Sequence, residues 1–186
     1  MNKLNTALTV LNYLKISDAK TIGEILHAKG LWGSPHSARV QSQKHLNDLV
    51  NFGKIDRGDG FYRTRDCKSN YGEHAKMLTC SLAEILKFPL TTTIYREISV
   101  PIGLRADALI LCEKEHKGIC FILEVVHTET HEYLKRKVEA WRNWKEARGF
   151  LSDLFAVKIP NFGFVARGLE VNGSLTFNQL LDILGG

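Results

Sequence analysis

Two isolated carboxylates stand inside apolar runs: Asp107 within 104–111 (Leu-Arg-Ala-Asp-Ala-Leu-Ile-Leu) and Glu124 within 121–126 (Phe-Ile-Leu-Glu-Val-Val). Short runs rich in Ile, Leu and Val read as strands buried in a sheet. An ionised carboxylate is costly there unless a cation pairs with it or a metal ion takes it as a ligand. Any fold for this chain has to answer for both acids.

The surrounding pattern gives an order of elements. Leu78, Leu82, Ile85 and Leu86 recur at helical spacing, and Pro89 closes that helix. The period then becomes that of strands over 92–100, 104–112 and 118–126, separated by Pro101 to Gly103 and by a charged turn at 113–117. A long helix is expected over 129–148, halted at Gly149. A strand at 155–159, a further one at 163–166 and a last helix over 177–184 follow. The order is αβββαβ about a mixed sheet, an α/β (α+β) domain assigned to residues 67–186.

Ahead of it lies a segment of different character. Residues 1–66 hold ten Lys and Arg against six Asp and Glu, which is most of the net charge of +5. No acid occurs between Glu24 and Asp48, so the positive potential is local and suits a polyanion. Leu4, Leu8, Leu11 and Leu14 mark a first helix, and a second runs from Ser17 or Asp18 to Gly30. The third starts clearly, because Ser34 can cap the free N–H groups and Pro35 needs no donor at the first helical position. Gly53 stops it.

On a helical wheel the third helix turns Ser42, Leu46, Leu49 and Val50 inward, and Ser37, Val40, Gln41, Lys44 and Asn47 outward. Gln and Asn match adenine, Lys matches guanine or phosphate, Ser serves either, and Val suits a thymine methyl. Gln43 joins this set, and Arg39, nearer the inner side, would reach phosphate. Two alternating segments then flank Gly58-Asp-Gly, a hairpin turn carrying Arg57, Arg63 and Arg65. Three helices and a basic hairpin resemble a winged helix-turn-helix DNA-binding domain over residues 1–66.

Other classes are excluded or left without support. The 186 residues, 44% of them hydrophobic, suffice for one or two packed domains. No apolar run is long enough for a bilayer, and the N-terminus lacks the pattern of a signal peptide, so a cytoplasmic protein with no membrane partner is expected. Cys67, Cys80, Cys112 and Cys120 form no C-x-x-C pair and are expected to be reduced. His27, His36 and His45 have no convincing metal spacing, and His127 and His131 do not promise a two-histidine face.

With Asp107 in the second strand and Glu124 in the third, the C-terminal segment resembles the restriction-endonuclease-like fold, the PD-(D/E)xK group. That resemblance implies that Asp107 and Glu124 hold a divalent metal such as Mg²⁺ and that a lysine orients the attacking water. The E-x-K lysine position is Val126. Lys135 or Lys137 on the next helix is the available substitute, with Lys137 the candidate catalytic residue. The alternative is a non-catalytic acid pair, satisfied by Arg96, Arg105 or Lys137 and needing no cofactor, with Glu97 either joining it or facing solvent.

Arg105-Ala-Asp-Ala, the 121–125 strand, Thr128-Glu-Thr, Leu134, Lys137 and Trp141 resemble, more narrowly, the replication-relaxation family of plasmids and integrative elements. This implies a sequence-specific binder of double-stranded DNA from a plasmid, phage or integrative element, acting in replication, relaxation or transcriptional control. Its nuclease-like domain is expected to be non-catalytic. A metal-dependent nickase or endonuclease, or a scaffold for a relaxase or replication initiator, is the alternative. In the long helix, Leu134, Val138 and Trp141 form an apolar stripe and Lys135, Arg136, Arg142, Lys145 and Arg148 a basic side. Trp144 would suit a homodimer contact.

Overall fold

The computed structural model describes residues 3–67, 72–89, 91–114 and 117–185. Within them the chain is mixed α/β, with seven helices, a three-stranded sheet and a five-stranded mixed sheet. It divides into two compact units, Met1–Pro89 and Leu90–Gly186. Most of the linker read at 67–72, the centre of the charged turn at 113–117 and the side chain of Leu4 lie outside the described residues.

The first unit contains α1 (Lys3–Leu14), β1 (Ile16–Ser17), α2 (Ala19–Ala28), α3 (Pro35–Asn51), β2 (Ile55–Gly58), β3 (Phe61–Thr64) and α4 (Glu73–Leu86). Helix α2 begins where the Asp18 carboxylate accepts from Thr21 N at 2.7 Å. Helix α3 begins where Ser34 Oγ accepts from Ser37 N at 3.2 Å, with Pro35 in its first turn. Both are side-chain caps on otherwise orphan donors. Asp59 and Gly60 have φ of 52° and 82°, the left-handed pair that lets a two-residue turn match the twist of β2 and β3. The sheet order is β1-β3-β2, all antiparallel.

Helices α2 and α3 cross at Gly23, where an added Cβ would lie 2.9 Å from the Arg39 backbone. Only hydrogen fits at that crossing. Ile22, Ile25 and Leu26 of α2, and Ala38, Leu46 and Leu49 of α3, are buried in this unit. Helix α4 belongs here too and packs on α1 and α2, with Thr79 Oγ1 donating to Leu14 O and Lys87 paired with Glu24 at 3.5 Å. The unit therefore closes after Pro89, where the sequence reading had placed the division after Asp66 and given α4 to the second domain. The buried row Leu78, Leu82 and Ile85 is satisfied by α1 and α2, a pairing that periodicity alone does not name.

The second unit contains β4 (Thr91–Ser99), β5 (Arg105–Lys114), β6 (Lys117–Val125), α5 (His131–Asn143), α6 (Ala147–Phe155), β7 (Asn161–Arg167), β8 (Leu175–Thr176) and α7 (Phe177–Gly185). The strands lie in that order; β4, β5 and β6 are antiparallel neighbours, whereas β6–β7 and β7–β8 are parallel. One face of the sheet, with Leu109, Leu111, Cys120, Ile122 and Phe164, packs on Leu134, Val138 and Trp141 of α5 and Leu151 of α6. Helix α7 packs along β7 and β8.

Three sequence expectations change in this unit. The long helix is two: α5 ends at Asn143, Trp144 takes an extended ψ of 102°, and Gly149 falls inside α6. Trp144 is half-buried, with its ring 5.5 Å from Trp141 and 5.2 Å from Phe150, so aromatic packing holds the break. The strand read at 155–159 is absent. Phe155 ends α6, Ala156 turns left-handed at φ 52°, and β7 starts at Asn161.

Candidate nucleic-acid interface and a buried acid–lysine cluster

Each residue read as base- or phosphate-facing on α3 is exposed: Ser37, Arg39, Val40, Gln41, Gln43 and Lys44. Val40 is 50% exposed, which for a valine marks a position the core does not claim. Ser37 Oγ accepts from Ser34 Oγ at 3.0 Å. Arg39, Gln41, Gln43 and Lys44 make no side-chain bond within the described residues. Their hydrogen-bonding capacity is turned to water. Asn47 differs, since its Oδ1 accepts from Tyr62 OH at 2.8 Å and from Arg57 Nη1 at 3.2 Å. It ties the hairpin to α3 and leaves the reading face.

The hairpin arginines divide in the same way. Arg57 lies over the Tyr62 ring at 5.4 Å, bonded to Asn47, so it braces the hairpin while remaining exposed. Burial raises the Tyr62 pKa, and the Arg57 guanidinium opposes this. Arg63 is half-buried with its guanidinium against Gly58, and Arg65 is exposed with its guanidinium near Gly53. Trp32, in the turn between α2 and α3, stacks on His45 at 5.9 Å, and its carbonyl lies 2.9 Å from His27 Nδ1. Those two histidines shape the turn.

In the second unit the register of β5 and β6 pairs Ala108 with Leu123, and one step further sets Asp107 beside Glu124. Both acids lie on the face covered by α5. Asp107 is half-buried and its Oδ2 accepts from Val125 N at 2.8 Å; Glu124 is only 4% exposed. Lys137, 6% exposed, brings Nζ to 2.6 Å from Glu124 Oε2, with the Tyr133 ring 5.8 Å away. Burial first, then the neighbouring Asp107 carboxylate, push the Glu124 carboxyl up to about 8 against the pull of Lys137. Asp107 and Lys137 thus pull on the Glu124 proton in opposite directions, and a further cation would favour its release.

Lys137 was visible in the sequence as the polar member of the row Leu134, Lys137, Val138 and Trp141, which share one face of α5. A lysine in a buried stripe asks for a carboxylate. Lys135 and Arg136 are exposed, Arg105 pairs instead with Glu97 at 3.3 Å, and Val126 at the E-x-K position packs against the core. Glu97 is exposed with φ 54° and does not enter the cluster. Glu124 Oε1 is buried without a hydrogen-bond partner, which suits a cation beside the two carboxylates. Among the described residues no group of three or more His, Cys, Asp or Glu converges, so such a cation would take its remaining ligands from water or phosphate.

Cys112 and Cys120 are both buried and free, and burial raises the Cys120 thiol pKa. No helix among the described residues is long and apolar enough to cross a membrane. No protein-family model matches the chain, and no characterised protein matches its sequence.

Proposed function

We propose that the chain is a sequence-specific binder of double-stranded DNA, with the first unit acting as a winged helix-turn-helix. The observation that carries this reading is the outer face of α3: exposed Gln41, Gln43, Lys44 and Arg39 without side-chain partners among the described residues, at a helix whose first three turns hold no acid. The order α1-β1-α2-α3-β2-β3 with a β1-β3-β2 sheet supports it. Ser37, Val40, Gln41 and Lys44 face base edges, whereas Arg39, Arg57, Arg63 and Arg65 face phosphates. A role in replication, relaxation or transcriptional control of a mobile element belongs to the same proposal, resting on the resemblance alone. Selection from a random duplex pool tests it: enrichment of one motif is expected, palindromic if a homodimer binds. Loss of all enrichment and of any band shift would turn the reading towards a scaffold for a relaxase or replication initiator.

A second reading is favoured by the Lys137–Glu124 contact. In a restriction-endonuclease-like second unit, Asp107 and Glu124 would hold Mg²⁺, which when bound supplies charge neutralisation and an activated water for phosphodiester hydrolysis. Lys137, beside Glu124 at 2.6 Å, would be the residue to orient a water there, in place of the missing E-x-K lysine. Supercoiled plasmid incubated with protein and Mg²⁺ or Mn²⁺ separates the readings. Nicking that is lost in Asp107→Asn and Lys137→Met supports the enzyme, and intact but shifted plasmid supports a non-catalytic domain.

A further inference from the structure

Between α5 and the β7–β8 side of the second unit lies a cavity of about 440 Å³ that neither the DNA reading nor the acid pair uses. It exists because β8 pairs with β7 only at Val165 and Ala166, while the chain before Leu175 diverges from Phe164. Its apolar lining includes Trp141 of α5, Phe162 and Phe164 of β7, and Leu175 of β8. Among the described residues no acidic side chain lines it. Among them the charged lining group is Arg142, an exposed residue held in place by Nη2 donating to Gly173 O at 2.8 Å. Gly173 takes φ 92°, a left-handed conformation that strains any other residue, and its backbone lies against that guanidinium.

Several features of this cavity point to a ligand. Arg142 has no ion pair among the described residues, and a guanidinium with one donor on a carbonyl keeps four more. The Trp141 indole Nε1 is buried without a hydrogen-bond partner. The volume falls within the range of small-molecule sites, and the space is a half-open cleft with a mixed apolar and polar lining. A DNA phosphate would satisfy the arginine but has no apolar body to fill the space beside it.

We infer that this cavity binds a small apolar monoanion, an aromatic or short-chain carboxylate, its body against the half-buried Phe162 and Leu175 and its carboxylate on Arg142. The site goes beyond the DNA reading and does not depend on it. Ligand-observed saturation-transfer NMR on the full chain tests it with phenylacetate and hexanoate as probes and phenylacetamide as the neutral isostere. At least one carboxylate should bind saturably at millimolar concentration or below, with the amide weaker by roughly tenfold. Arg142→Gln should erase the preference for acid over amide, and Ser174→Trp, which fills the cavity, should abolish binding with the melting transition retained. The inference is overturned if neither carboxylate binds, if acid and amide bind alike, or if Arg142→Gln leaves the preference in place. Should Ser174→Trp not fold, the Arg142→Gln comparison decides alone.

Discussion

The outer face of α3 and the Asp107–Glu124–Lys137 cluster are both polar, yet they meet water in opposite ways. Gln41, Gln43 and Lys44 are exposed and make no side-chain bond among the described residues, so packing there asks little of them. Glu124 and Lys137 are buried against each other, so each is shielded from water and has the other as its charged partner. Exposed polar residues with unspent hydrogen bonds are available to a partner. A buried cluster must answer for its own desolvation before it can act on anything else.

The contrast can be broken most forcefully at Glu124. Glu124→Ala leaves the Lys137 ammonium buried without its carboxylate and should cost about 3–5 kcal/mol, read from urea unfolding of the second unit. A loss below about 1 kcal/mol would mean that water already reaches the cluster. The pH dependence sharpens the same point. With Glu124 raised to about 8 in the folded state, that state binds the proton more tightly than the unfolded chain does. Its contribution is therefore fully present below the ordinary carboxylate range and is lost as pH rises towards 8, at up to roughly 1.4 kcal/mol per pH unit. Glu124→Gln should remove this slope when unfolding is followed at pH 5, 6.5 and 8.

On α3 the expectation reverses. Gln41→Ala should leave unfolding within about 0.5 kcal/mol of the parent chain while losing about 1–3 kcal/mol of discrimination between the selected duplex and its single-base variants. A large stability loss there would move Gln41 into the structural class. The smallest effect is expected from Arg65→Gln: the slope of log affinity against log salt should fall by roughly 0.9 for one lost phosphate contact, equally for all sequences.

These two regions also differ in how far sequence reached them. Helix α3 and its hairpin are local: Ser34-Pro35, Gly53 and Gly58-Asp-Gly are signals within a few residues of the elements they start, stop or turn. The acids were legible because a lone carboxylate in an apolar run is conspicuous. Their partner stays open in the sequence among Arg96, Arg105 and Lys137, since the contact with Lys137 depends on how α5 docks thirteen residues along the chain. The two-residue strand β1, the break at Trp144 and the packing of α4 on α1 and α2 likewise depend on tertiary neighbours. Asn47 shows the limit within α3 itself, because the wheel turns it outward while Tyr62 and Arg57 claim its oxygen.

The central claim is that α3 reads a duplex. Fluorescence anisotropy of the full chain against a selected duplex and a scrambled one, at two salt concentrations, compared with Gln41→Ala/Lys44→Ala, tests it most directly. The account predicts tight, salt-sensitive binding that prefers the selected duplex, and a double variant that folds as well but has lost the preference. Unchanged affinity and unchanged preference in the double variant would contradict it.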